Sequence, residues 1–311
     1  MPENKIFLPE GLRPLQAMTP ALLRDALAQN AILEAPAARC DSAGALHVDL
    51  GPIRGLIPRE EAVAPWISGA ERDIARLALV GKPVCFTVLR LEADEKGAPT
   101  ALLSRRAAQE RAMSAFLRTL EPGTLLTCRV THMEPFGAFM DIGCGIAAML
   151  PLERISISRI PHPAARLTNG QKLTAAVLSF DRARRRVTLT LRELLGTWME
   201  NASRFAPGDT VPGIVRSIRE YGAFVELTPN LSGLADLRDG ISEGDRVSVF
   251  IRSIRPERMK IKLQIIQVLP PCSAPAPLPR LTADGRLDRW VYSPPDCEKA
   301  ELFTDFTGGG A

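Results

Sequence analysis

Short runs rich in β-formers dominate the middle of the chain. Examples are Leu125–Val130 (LLTCRV), Ala138–Ile142 (AFMDI), Leu173–Phe180 (LTAAVLSF) and Arg186–Leu191 (RVTLTL), each bounded by Gly, Pro, Asn or Asp. Apolar runs of this length between turn-formers predict strands. Five such strands fit in roughly 70 residues, the size of a small closed barrel, and closure removes the edges that a short sheet cannot protect. Between the strand-rich stretches the composition becomes helix-forming, over 106–120 and 192–206. Both stretches run into a Pro-Gly pair, Pro122-Gly123 and Pro207-Gly208, where a helix cannot continue. These are expected to be linker helices. A further short helix is expected at Pro20–Gln29 with Thr19 as its cap.

The pattern repeats. Pro122–Leu152 runs in step with Pro207–Leu237 without a gap, so that Pro122 meets Pro207, Val130 meets Val215, and Phe136-Gly-Ala-Phe139 meets Tyr221-Gly-Ala-Phe224. After a loop 11 residues shorter in the second copy, Gly170–Thr190 meets Gly244–Gln264. A worn third copy precedes them, with Val48, Asp49 and Leu50 answering Met140, Asp141 and Ile142. Internal repetition of this kind predicts tandem units. The expected organisation is an N-terminal segment (1–23), a degenerate unit (24–105), a linker helix (106–120), a middle unit (121–191), a second linker helix (192–206), a third unit (207–267) and a proline-rich tail (268–311). The tail reads as a tether plus a small docked element. The fold class is mainly β with linker helices: three tandem five-stranded barrels, the first one degenerate.

Composition narrows the choice of function. The chain has 311 residues, 46% hydrophobic and 24% charged, which suits a folded protein and not a disordered one. No apolar run approaches the roughly 18 residues that span a bilayer, and the N-terminus lacks the layout of a secretory signal, so a cytoplasmic protein without membrane contact is expected. Six cysteines without regular spacing argue against a disulfide framework and against zinc; no metal and no cofactor is expected. The net charge is only +4, yet 32 of the 39 basic residues are arginine. Arginine suits phosphate and base stacking, although a GC-rich genome gives the same bias.

The candidate chemistry lies in the repeats. Two aromatics three apart in a strand point to opposite faces, but the intervening glycine permits a bulge that turns both outward. Two outward rings make a stacking platform for unpaired bases. The alternative, one ring filling the core, is weakened because the pair recurs. Asp181-Arg-Ala-Arg-Arg-Arg186 is a basic turn suited to phosphates. Residues 121–192 hold ten basic residues against five acidic, the third unit nine against eight, and the first ten against eleven. The basic excess therefore sits in the unit with the Phe136/Phe139 pair, as a single-strand nucleic-acid site requires.

Together these residues resemble the S1-type RNA-binding domain, an oligonucleotide-binding (OB-fold) barrel. The resemblance is strong in the middle unit, good in the third and partial in the first, and covers about two-thirds of the chain. It implies single-stranded RNA, such as mRNA, as partner, with the small ribosomal subunit as a further one, in a role in translation. Carried over residue by residue, it implies RNA contacts at Phe136, Phe139, Asp181 and Arg186 in the middle unit, and at Tyr221, Phe224 and Lys260 in the third. The basic Arg129, Lys172, Arg184 and Arg185 of the middle unit complete the expected surface. Where the family often has histidine, this chain has Pro151 and Asp236, so that contact is absent. Arg255 stands where an aspartate is usual. In the first unit His47 and Thr100 replace the second aromatic and the basic residue, which points to a structural or docking unit.

Two rival readings remain open at this level. A protein-interaction scaffold with little RNA affinity, docked on a ribosomal or RNA-processing assembly, would fit the worn first unit and the tail. An enzyme could draw on Cys144 and His132; His162, in the long loop of the middle unit, reads as a solvated turn or a loop contact. No acidic cluster, phosphate-binding glycine loop or nucleophile elbow is visible, so no catalytic site is expected.

Overall fold

The computed structural model of the chain describes residues 7–14, 16–67, 69–93, 99–271, 278 and 285–308. It contains three closed five-stranded barrels in tandem. The first is built from β1 (Leu33–Cys40), β2 (Leu46–Leu50), β3 (Ile53–Ile57), β4 (Pro83–Ala93) and β5 (Pro99–Ser104). The middle one is built from β6 (Leu125–Glu134), β7 (Gly137–Asp141), β8 (Ala147–Pro151), β9 (Lys172–Asp181) and β10 (Arg186–Thr190). The third is built from β11 (Thr210–Arg219), β12 (Gly222–Thr228), β13 (Leu231–Ala235), β14 (Arg246–Arg255) and β15 (Lys260–Val268). In each barrel the first three strands form an antiparallel meander, the fourth and fifth form a hairpin, and the third closes parallel to the fifth. Alternation sets the cores. In β10, Val187 and Leu189 are buried while Arg186 and Thr188 face outward, and in β15 Ile261, Leu263 and Ile265 alternate with Lys260, Lys262 and Gln264.

The helices follow from local signals. Helix α1 (Pro20–Gln29) starts where the Thr19 side chain accepts from the Leu22 N–H, and it ends at Asn30 in the left-handed region. The short α2 (Ile74–Leu77) lies between β3 and β4. Helix α3 (Arg105–Thr119), capped by Ser104, buries Ala108, Ala112, Met113, Ala115 and Phe116 between the first two barrels. The second linker departs from the expected single helix. A 3-10 turn over Arg192–Leu195 is broken at Gly196, whose φ of +86° lies outside helical space. A new helix, α4 (Trp198–Ala202), then starts from a capping box of Thr197 and Glu200.

The barrels are locked to one another. Between the first and middle barrels the N-terminal segment is wedged: the Cys144 N–H donates to Leu8 O, and the Glu10 N–H donates to Asp141 Oδ2 at 2.7 Å. The Glu10 carboxylate accepts from Arg105, both being largely buried. Burial, and next the Glu10 carboxylate, push the Asp141 carboxyl up to about 7, against backbone N–H donors from Glu10 and Gly143 that pull it down. A carboxyl that holds its proton more tightly when folded stabilises most at low pH. Its contribution is complete below the ordinary Asp value of about 4 and is lost as the pH rises through about 7. A carboxyl-carbon NMR titration of Asp141 is expected to give a midpoint near neutrality; one in the ordinary range would contradict this origin.

Between the middle and third barrels the long loop after β8 is the coupling element. Ser158 N–H donates to Pro229 O, Ile157 N–H to Asn230 Oδ1, and Ser158 Oγ bonds Ser232 Oγ. Arg166 from the same loop joins Glu226 of β12, which also receives Arg216. The 11 residues that the third unit lacks are thus those that dock on it, and His162 only caps a 3-10 turn through its bond from the Ala164 N–H. The tail adds a second tie. Its strands β16 (Arg289–Val291) and β17 (Phe303–Asp305) pair with each other, and Trp290 and Tyr292 pack into the third core. Leu287 N–H donates to Gly123 O, at the base of the middle barrel. Most of the proline-rich stretch, 272–277 and 279–284, lies outside the described residues.

Candidate nucleic-acid interface

The aromatic pair is formed differently from the bulged strand that the sequence suggests. Phe136 lies in the hairpin turn between β6 and β7, and Phe139 lies in β7 itself. The bulge is in the partner strand, between Val130 and His132. The glycine serves close packing instead: a Cβ on Gly137 would lie 2.5 Å from Leu150 O, and one on Gly222 would lie 2.6 Å from Ala235 O. The outcome is the same in both barrels. Phe136 and Phe139 meet edge to face at 6.2 Å, and so do Tyr221 and Phe224. Phe136 and Tyr221 are 57% and 69% exposed, and their partners are half-buried.

Residues facing each other across paired strands share a side of the sheet. In the middle barrel the row through the platform is therefore His132, Phe139, Met149, Thr188 and Ser179. His132 stacks on Phe139 with ring centres 4.3 Å apart and planes 9° from parallel. It extends the aromatic surface, and the Cys144 side chain is buried in the core cluster. In the third barrel the equivalent row is Ser217, Phe224, Leu234, Lys262 and Ser253. In the first it is Arg39, His47, Leu56, Leu102 and Arg90, without an aromatic pair.

The charged candidates divide. Arg184 and Arg186 are exposed at the β9–β10 hairpin, on the side of the platform row. Asp181 caps that hairpin, accepting from the Arg184 N–H at 2.9 Å and from its guanidinium at 3.2 Å. These bonds, the backbone one first, hold its carboxyl below the usual range. Arg185 turns away: in the left-handed conformation its guanidinium lies over Trp66 of the first unit, 5.3 Å from the ring centre. Arg182 donates to Leu117 O and Leu120 O at the C-terminus of α3, where a cation is favoured. Arg129 is also engaged, donating to Glu10 O at 2.7 Å and to Gly170 O. Lys172 is exposed at the far end of β9 from Asp181, beside Arg129 in the ladder. The structure thus gathers Phe136, Phe139, Arg184 and Arg186 on one face, with Asp181 as its cap, and leaves Arg129, Lys172 and Arg185 off it. Tyr221, Phe224 and Lys260 gather likewise in the third barrel. Sequence reasoning missed His132 as a ring partner and Lys262 as a platform neighbour. The outward alternation of Lys-Ile-Lys over 260–262 was the signal for the latter.

Among the described residues there is no cluster of side chains able to hold a metal ion, and no helix is long and apolar enough to cross a membrane. Residues 119–192 match the model of the S1 RNA binding domain. The chain is 29% identical over 238 residues to the small ribosomal subunit protein bS1 homolog of Bacillus subtilis, covering 71% of this chain and 59% of that protein. It is 30% identical over 204 residues to bS1 of Neisseria meningitidis, covering 60% and 36%. With bS1 of Staphylococcus aureus it shares 27% identity over 264 residues, covering 80% and 64%. In each case the chain spans less than two-thirds of the relative's length. The middle barrel, with its exposed aromatic pair and arginine hairpin, is an S1-type domain, and the chain around it is similar to the bacterial small ribosomal subunit protein bS1.

Proposed function

We propose that the chain binds single-stranded RNA, stacking unpaired bases on the platforms of its middle and third barrels. The observation that carries this reading is the recurrence of one exposed aromatic pair with the same 6.2 Å edge-to-face geometry in two barrels. Phe136 and Tyr221, held outward at their turns, have no packing role large enough to explain them, and stacking is the interaction they offer. Two sites on coupled barrels act on one strand with a high effective concentration, so weak sites combine. The similarity to bS1 supports mRNA as the RNA, the small ribosomal subunit as a partner, and a cytoplasmic role in translation without catalysis. The first barrel, whose row lacks aromatic pairs and whose Trp66 holds Arg185, serves as a support in this scheme.

The test is fluorescence anisotropy of the full chain with a short unstructured RNA and its DNA twin over a salt series. Binding that favours RNA and weakens steeply with salt is expected. Absence of binding at low salt would replace this reading with that of a protein-interaction scaffold.

A further inference from the structure

The two hairpins beside the platforms share a register but not a sign of charge. In the middle barrel Asp181 faces Arg186 across the strands; in the third, Arg255 faces Lys260. Opposite charges across a rung attract, and like charges repel. In the middle hairpin Asp181 takes Arg184 and the turn N–H, and Arg186 has this acid opposite it. The third hairpin differs. Arg255, Lys260 and Lys262 are all exposed, and none forms an ion pair among the described residues. The acid in the same turn, Glu257, pairs with none of them. Lys262 lies in the row that includes Leu234 and Phe224, so the three cations flank the platform. Arg252, on the same strand, is by contrast paired with Asp236.

Net charge suggests the reverse assignment, since the middle unit has the basic excess. Four of its arginines are however engaged inside the protein: Arg129 on Glu10 O, Arg166 on Glu226, Arg182 on the α3 carbonyls and Arg185 on Trp66. Of the two beside the platform, Arg184 is tied to Asp181. What the middle barrel offers on its platform is the larger ring surface, His132 on Phe139 beside Phe136, with Arg186 facing an acid across its rung. What the third offers is one ring pair and a like-charge rung that an anion would relieve.

We infer, resting on the RNA reading above, that the two barrels divide the strand's chemistry: Arg255, Lys260 and Lys262 of the third barrel anchor the RNA phosphates, and the middle barrel supplies base stacking. Two signatures follow. Removing phosphate contacts makes the dependence of binding on salt shallower, by about 0.7 in log–log slope per contact for a single strand. Removing stacking lowers affinity equally at every salt concentration.

The experiment is the anisotropy titration of the full chain with an unstructured RNA from low to high salt, with circular dichroism to confirm the fold of each variant. Lys260→Ala with Lys262→Ala is expected to flatten the slope by about 1.4, two contacts' worth. Phe136→Ala with Phe139→Ala is expected to displace the line without tilting it. Arg255→Asp, which recreates the opposite-charge rung of the middle barrel, is expected to lower RNA affinity at least tenfold at low salt while the melting temperature holds or rises. Lys82→Ala, an exposed lysine of the first barrel, is expected to leave the slope unchanged. An unchanged slope in the Lys260/Lys262 variant, or a loss that appears instead with Arg184→Ala and Arg186→Ala, overturns the division while leaving RNA binding intact. Equal flattening by Lys82→Ala overturns it too, because the slope would then report net charge alone. A wild-type chain that binds no RNA overturns the underlying reading and this inference with it.

Discussion

Replacing Phe136 and Phe139 together by alanine is expected to weaken binding of the full chain to an unstructured RNA by roughly 10- to 100-fold. Base–aromatic stacking contributes on the order of 1–3 kcal/mol per base, and 1.4 kcal/mol is a factor of ten in affinity. Extending the change to Tyr221 and Phe224 should reduce binding to what the exposed cations alone support, which disappears near physiological salt. The fold should survive. Phe136 is more than half exposed in a turn, and Phe139 stands outside the buried core, which is made of Val130, Met140, Leu150, Val177 and their neighbours. Removing the rings therefore opens no interior cavity of the kind that makes large-to-small changes costly. Anisotropy checks the affinity, and unchanged near-ultraviolet circular dichroism and melting check the fold. Undiminished affinity in the quadruple variant would remove these residues from the site.

Glu226→Ala is expected to be the most destabilising single change, by about 3–5 kcal/mol, the usual result of breaking a buried ion pair on one side. Glu226 is 5% exposed at its side chain, and so is Arg166; Arg216 is 10% exposed. Arg216 grips the carboxylate with two bonds, Nε at 2.7 Å and Nη2 at 3.2 Å, while Arg166 reaches it from the loop of the neighbouring barrel. Burial, and next to it the attraction of Glu226, act in opposite directions on Arg166, and burial wins, drawing its proton affinity down. Removing Glu226 leaves two guanidiniums facing each other out of water. A loss of this size is a large part of a domain's stability. Denaturant unfolding measures it, and the double variant Arg166→Met with Glu226→Ala should recover part of the loss, because one of the two stranded charges is gone. A loss below about 1 kcal/mol would mean that water reaches the triad and screens it. Because Arg166 and Glu226 belong to different barrels, the change should also loosen the middle barrel from the third, seen as a larger radius of gyration in small-angle scattering.

The strands, the three repeats, the linker after the first unit and the outward aromatic pairs were legible in the sequence. Each depends on nearest neighbours along the chain: alternation of Val187 and Leu189 with Arg186 and Thr188, a cap at Thr19 or Ser104, a Pro-Gly stop. Repetition did the rest, since a ring pair that recurs in register is hard to explain by packing twice. The second linker was misread as one helix because Gly196 breaks a stretch whose composition is otherwise helical. The surroundings of the arginines were not legible, for a different reason. Composition says that cations are present, but whether a guanidinium meets solvent or a neighbour depends on contacts between residues far apart in the chain. Arg129 finds Glu10, Arg185 finds Trp66, and Arg166 finds Glu226, separated by 119, 119 and 60 positions. Local pattern thus determined that this chain forms barrels with outward aromatic pairs. Only the packing of barrel against barrel decided which charges are left to face a ligand, because burial and pairing are properties of the assembled surfaces and not of any one segment.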